Sequence, residues 1–345
     1  MRTSAAPASG WPTPGRLPDA PDHPPEALAI RTAGLSKSYR HNWTGRIVTG
    51  LDELNLEVRL GEVMGYLGPN GAGKTTTLKL LTGLLKPTRG DAWLMGVPIQ
   101  QVSSRRRIGF LPEQPYFYEY LNGMEYLELA GQLSGLAGQE AHQQARGWLG
   151  RVGLGERPRL VLRKYSKGML QRLGLAAALL HQPDVLILDE PMSGLDPFGR
   201  RDVRDLILEQ RERGTTVLFS SHILPDVEIL CDRVAIILGG RLTRVATVGQ
   251  LVGASHQQVE IRCTVVPPFA PEPGLVGTVE RRDRPHETSF LLHDDTRLGE
   301  MLAWLLRVGA QVRAVTPQRA TLEELFLATA ARADADAHAD ERRSA

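Results

Sequence analysis

The stretch GPNGAGKTT, residues 68–76, has the spacing G-x-x-x-x-G-K-[ST]. Gly68, Gly71 and Gly73 let backbone amides curl around phosphate oxygens. Lys74 then bridges the β- and γ-phosphates of a nucleotide, and the Thr75 hydroxyl is a ligand for Mg²⁺. A second group lies in VLILDE, where Asp189 and Glu190 follow four apolar residues. Asp189 is placed to hold Mg²⁺ through water, and Glu190 to polarise an attacking water. The lysine and the carboxylates together describe phosphoryl transfer to water. A third feature is KYSKGMLQRLGL, from Lys164, where Ser166 and Gly168 precede a long apolar-periodic run. That is a second helix start suited to an anion.

The elements that position these residues read as alternating strands and helices. EVMGYL is a short buried strand entering the glycine loop, and KTTTLKLLTGLL is a helix stopped by KPTRG. PDVLILDEP is the continuous apolar run of a parallel-sheet strand covered on both faces. DPFGRRDVRDLILEQRERG is an amphipathic helix, TTVLFSSH a strand and ILPDVEILCD a helix. Such alternation argues for a mostly parallel α/β sheet. From Asn122 to Val152 the pattern is helical, in GMEYLELAGQLSGL and EAHQQARGWLGRVGL, and marks a helical subdomain inserted in the α/β core. After Val252 the composition changes. Strand-like stretches broken by prolines, then RLGEMLAWLLRVG, QVRAV and TLEELFLATAARA, predict a small α+β domain.

The bulk properties restrict partners. Lys and Arg number 41 against 39 Asp and Glu, so no basic excess marks a nucleic-acid binder, and none is expected as a partner. Basic runs such as SSRRRIG and VERRDR are short and read as solvated faces. The two cysteines, Cys231 and Cys263, have no metal or disulfide spacing and suit a reducing compartment. The first 26 residues have no apolar core segment, and their prolines, glycines and small residues predict a disordered leader. No run is long enough to span a bilayer.

From Ala29 to Val248 these motifs resemble the nucleotide-binding subunits of ATP-binding cassette (ABC) transporters. The implied fold is α/β, a P-loop NTPase ABC ATPase core with an inserted helical subdomain, plus the small C-terminal α+β domain. The expected boundaries are a leader at 1–26, the ATPase domain at 27–250 with its helical subdomain near 115–182, an accessory domain at 251–331 and a flexible tail at 332–345. The resemblance implies that ATP and Mg²⁺ are bound by Gly68, Pro69, Asn70, Gly71, Ala72, Gly73, Lys74, Thr75 and Thr76. YSKGM resembles the family signature Leu-Ser-Gly-Gly-Gln, although Tyr165, Lys167 and Met169 depart from it. Ser166 and Gly168 then face the γ-phosphate of ATP held by a second subunit, which gives the second anion-binding helix start a purpose.

Further roles come from the same resemblance. Gln114 in LPEQP resembles the glutamine that senses Mg²⁺. Asp196 in SGLDP resembles the carboxylate of the loop that crosses the dimer. His222 in FSSH resembles the switch histidine that contacts the γ-phosphate. Tyr39 resembles the aromatic that stacks on adenine, with Trp43 as its competitor. Tyr116, Phe117, Tyr118 and Tyr120 are either part of a groove for a permease helix or a packed subdomain edge. GFLPEQPYFYEYLNGMEYLELAGQL and ATLEELFLATAA are similar to segments of the ABC-2 class of bacterial exporters. The implied protein is an ATPase that dimerises on ATP and drives separate transmembrane permease subunits at the cytoplasmic face of the membrane. The alternative is a soluble ABC ATPase that regulates a complex or acts outside transport.

Overall fold

The five residues Val185–Asp189 are all buried, as an apolar run covered on both faces requires. In the computed structural model they form one strand of a six-stranded sheet. The structure describes residues 28–40, 46–157, 159–253, 258–264, 279–284, 287–293 and 295–318. The leader, Trp43, the closing helix expected at TLEELFLATAARA and the tail lie outside the described residues.

In chain order the elements begin with β1 (Leu28–Arg40), β2 (Ile47–Leu54), β3 (Glu57–Arg59), β4 (Val63–Leu67) and α1 (Lys74–Leu81). There follow β5 (Arg89–Leu94), β6 (Val97–Pro98), β7 (Ile108–Leu111), α2 (Gly123–Leu133), α3 (Gly138–Arg151) and α4 (Lys167–Leu179). Next come β8 (Val185–Asp189), α5 (Pro197–Glu212), β9 (Thr216–Ser221), α6 (Leu224–Leu230), β10 (Arg233–Leu238), β11 (Arg241–Thr247) and α7 (Val248–Gly253). The last are β12 (Gln258–Thr264), β13 (Val279–Arg284), β14 (Glu287–Leu292), α8 (Leu298–Arg307) and β15 (Gln311–Gln318).

The main sheet has the order β11-β10-β4-β9-β8-β7. All its pairings are parallel except β10 with β11. Side chains alternate across it, so one strand feeds two cores. Leu186 and Leu188 of β8 join a cluster with helices α2 to α6. Val185 and Ile187 face the other way, into a cluster with α1 and the N-terminal strands. Each fully buried side chain of this kind contributes about 1.5–3 kcal/mol relative to exposure.

The sequence predicts one mostly parallel sheet, but the N-terminal strands form their own. β1 pairs antiparallel with β2, β3 and β5, and β5 with β6. Local alternation fixes which face of a strand is apolar, not which strand lies beside it. The third sheet, β13-β14-β12-β15, is antiparallel and shares a separate core with α8. α2 starts on a capping box. Asn122 accepts from the Met124 and Glu125 amides, and Glu125 accepts from the Asn122 amide. No helix of the described residues is long and apolar enough to cross a membrane.

Candidate functional site

The C-terminal ends of β4, β8 and β9 meet at one edge of the main sheet, where open α/β sheets take their ligands. After β4 the chain turns through residues 68–73 into α1. Gly73 has φ 105°, and a Cβ there would stand 2.5 Å from the Gly50 carbonyl oxygen, so only glycine fits. It also leaves the start of α1 without a side-chain cap, so the first-turn amides remain for an anion. Beneath the loop, the Thr77 hydroxyl donates to the Gly73 carbonyl at 3.0 Å. The Tyr66 hydroxyl lies 3.1 Å from the Thr77 oxygen, and both residues are fully buried. Burial pushes the Tyr66 hydroxyl far above the ordinary tyrosine range, so it stays protonated as a donor.

Lys74 Nζ donates to the carbonyls of Gly68 at 2.7 Å and Pro69 at 3.3 Å, and stands 3.4 Å from Glu190 Oε1. The other Glu190 oxygen is 2.7 Å from His222 Nδ1. Glu190 thus joins the lysine at the start of α1 to the imidazole just beyond β9. Both Lys74 and Glu190 are 7% exposed, and a buried charge without partners is expensive. Glu190 also has φ 49°, a left-handed backbone that costs a side-chain-bearing residue about 1–2 kcal/mol. Such strain survives only where the surroundings over-determine it.

These groups line a cleft of about 480 Å³. Of residues 68–76, Pro69, Asn70, Gly71, Gly73, Lys74, Thr75 and Thr76 reach its wall, together with Glu190 and His222. Gly68 and Ala72 do not, although Gly68 contributes the carbonyl that holds Lys74. Asp189 lies behind the wall at 1% exposure. Tyr39 sits beside the cleft, with its hydroxyl 3.2 Å from Thr76 Oγ1 and its ring edge against Gly50.

Three wall residues were missed by the sequence reading: Gly50, Ser193 and Glu113. Glu113 is the immediate neighbour of Gln114. It lines the cleft, whereas Gln114, chosen because it is a glutamine, does not. The aromatic run divides. Phe117 is buried against Tyr126, with ring centroids 4.9 Å apart, while Tyr116, Tyr118 and Tyr120 are exposed.

Among the described residues no group of three or more His, Cys, Asp and Glu is placed to hold a metal. Mg²⁺ does not require one, since it takes one or two protein oxygens and completes its shell with phosphate and water. The Thr75 hydroxyl and the Asp189 carboxylate are oxygen donors of that kind, so the residues fit this ion.

Comparison with known proteins agrees with this geometry. The family model described as ABC transporter matches residues 51–193. An ABC transporter ATP-binding protein of Synechocystis sp. is 44% identical over 238 residues, covering 68% of this chain and 67% of its own. The chain belongs to the ABC transporter ATP-binding proteins. The daunorubicin/doxorubicin resistance ATP-binding protein DrrA of Streptomyces peucetius is 36% identical over 310 residues, covering 87% of this chain and 92% of its own. The dimeric post-hydrolysis structure of the ATP-binding cassette MJ0796 with ADP and Pi superposes with a TM-score of 0.59 at 25% identity, covering 64% of this chain and 98% of that one.

The other expected residues of the cassette do not reach the cleft. Ser166 caps α4, accepting from the Met169 amide at 3.3 Å, and is exposed. Gly168 lies in the same first turn. Asp196 caps α5, accepting from the Gly199 amide at 2.8 Å, and is exposed too. Lys167 extends over Gly194, where its Nζ would stand 2.3 Å from an added Cβ. The signature turn and the SGLDP loop therefore pack together within one chain.

Proposed function

We propose that this chain is the ATP-hydrolysing subunit of an ABC exporter, and that two copies close on two ATP molecules. The single observation that carries this reading is Glu190 held between Lys74 and His222 on the cleft wall. In the proposed reaction the loop amides and Lys74 hold the β- and γ-phosphates. Thr75, and Asp189 through water, would hold Mg²⁺, which would supply neutralisation of phosphate charge. Glu190 takes a proton from water as the water oxygen bonds to the γ-phosphorus. The bond from that phosphorus to the bridging oxygen breaks, and ADP leaves with the electron pair. His222 hydrogen-bonds the γ-phosphate oxygens, and Tyr39 packs on adenine. Glu113 lines the same cleft.

Ser166, Gly168 and Asp196 sit on exposed helix starts away from their own chain's cleft. That supports a half-site offered to a partner's ATP. The exposed Tyr116, Tyr118 and Tyr120, a few residues beyond Glu113, support docking of a separate permease. The resistance function in the name of the Streptomyces relative supports export. Residues 27–250 are the proposed ATPase domain and 251–331 an accessory domain, with the complex at the cytoplasmic face of the membrane.

The test separates binding from chemistry. Purified chain releases phosphate from ATP in a Mg²⁺-dependent way. Lys74→Ala loses both nucleotide binding and release, while Glu190→Gln loses release and keeps binding. Phosphate release by Glu190→Gln at the parent rate would remove Glu190 from the role of base.

A further inference from the structure

The parallel ladder of β8 and β9 sets Asp189 directly opposite Ser220. Ser220 is fully buried. Its hydroxyl donates to Asp189 Oδ1 at 2.7 Å and accepts from the Glu190 amide at 2.9 Å. One oxygen therefore ties two consecutive acidic residues, through the side chain of the first and the backbone of the second. The neighbouring serine does something else. The Ser221 hydroxyl accepts from the Ile223 amide at 2.9 Å and shapes the turn that carries His222.

We propose that Ser220 is a positioning residue for hydrolysis, acting through Asp189 and Glu190 without touching nucleotide. This rests on the reading of Glu190 as the base. The left-handed backbone at Glu190 aims its carboxylate at Lys74 and His222, and the Ser220 bond is the side-chain contact that anchors the Glu190 amide. The same hydroxyl selects one Asp189 rotamer and occupies one of its two oxygens, leaving Oδ2 to face other partners. Without the hydroxyl, a buried amide and a buried carboxylate oxygen each lose a partner, and both residues gain freedom to reorient. The loop that binds phosphate is built from β4 and α1 and keeps its own hydrogen bonds to Lys74 and Gly73. Turnover should therefore suffer while ATP affinity is kept.

The experiment uses the full chain carrying Ser220→Ala, Ser220→Thr and, as reference, Glu190→Gln. It reads kcat, KM, nucleotide affinity by titration and hydrogen exchange at the Glu190 amide. Ser220→Ala is expected to lower kcat about ten- to hundredfold, the range for partners that orient reacting groups from behind. ATP affinity stays within about twofold and the Glu190 amide exchanges faster. Ser220→Thr keeps the hydroxyl and restores most of kcat. If the alanine variant does not fold, Ser220→Cys, of similar size and a weak hydrogen bonder, replaces it with the same expectations. The inference is overturned by an unchanged kcat, by equal losses of kcat and affinity, or by a threonine variant as poor as alanine. Glu190→Gln separates the two claims. If it turns over normally, the reading of the base fails. If it is inactive while Ser220→Ala is normal, only the role of Ser220 fails.

Discussion

β8 and β9 end at Asp189 and Ser221, with Glu190 and His222 one residue beyond. β12 and β14, the central strands of the C-terminal sheet, end at Thr264 and Leu292. The first sheet buries Asp189 and Glu190 at the end of β8, beside Lys74 at the start of α1. The second buries Val259, Ile261, Cys263, Phe290 and Leu292 against Met301, Trp304 and Leu305. Cys263 is the one titratable group in that cluster, and burial pushes its thiol up, away from reactivity. The charged pairs of that region, such as Arg297 with Glu300 at the start of α8 and Arg282 with Glu280 on β13, lie on the surface. Burying a charge costs several kcal/mol before any pairing offsets it, and among the described residues the C-terminal sheet buries none, whereas Lys74 and Glu190 are buried together at the cleft.

Substitutions in either sheet separate chemistry from stability. The largest effect is expected from Glu190→Gln, which should lower phosphate release about 10²–10⁴-fold without altering the unfolding of the C-terminal sheet, as calorimetry reads it. Phe290→Ala is the reverse experiment. Phe290 is fully buried and meets the Trp304 ring edge-on at 6.2 Å, so the C-terminal sheet should lose about 3–5 kcal/mol. ATP affinity by titration calorimetry should be unchanged, and a large fall in affinity would dissolve the contrast between the sheets. Thr77→Val acts on both stability and binding. It leaves the Gly73 carbonyl with the Thr77 amide alone and the Tyr66 hydroxyl without its acceptor, a loss of about 1–3 kcal/mol together with weaker ATP binding. Glu300→Ala removes an exposed pair with Arg297 and should shift stability by less than about 1 kcal/mol in urea unfolding.

The two regions were not equally legible in the sequence. The glycine loop and VLILDE are local patterns whose chemistry and fold coincide, so the loop, β8 and the helices α2 and α3 could be read directly. Strand partners could not, because alternation in β1 says nothing of its pairing with β5 some sixty residues on. VERRDR read as a solvated face, and residues 280–283 of β13 are exposed, but its pairing was not legible. It is an edge strand, whose Arg282 and Glu280 pair along one face while β14 covers its hydrogen-bonding side. Within the site, Lys74, Glu190 and His222 were found from motifs, but their contacts were not. Ser220 escaped because its meaning lies in register with a residue 31 positions earlier.

The central claim is that ATP joins two copies, each supplying the helix start that the other's cleft lacks. Sedimentation of Glu190→Gln with saturating Mg²⁺ and ATP tests it most directly. The account predicts a dimer that forms with ATP, falls apart with ADP, and is lost when Ser166 and Gly168 are also substituted. A hydrolysis-blocked chain that binds ATP fully and stays a monomer would contradict it.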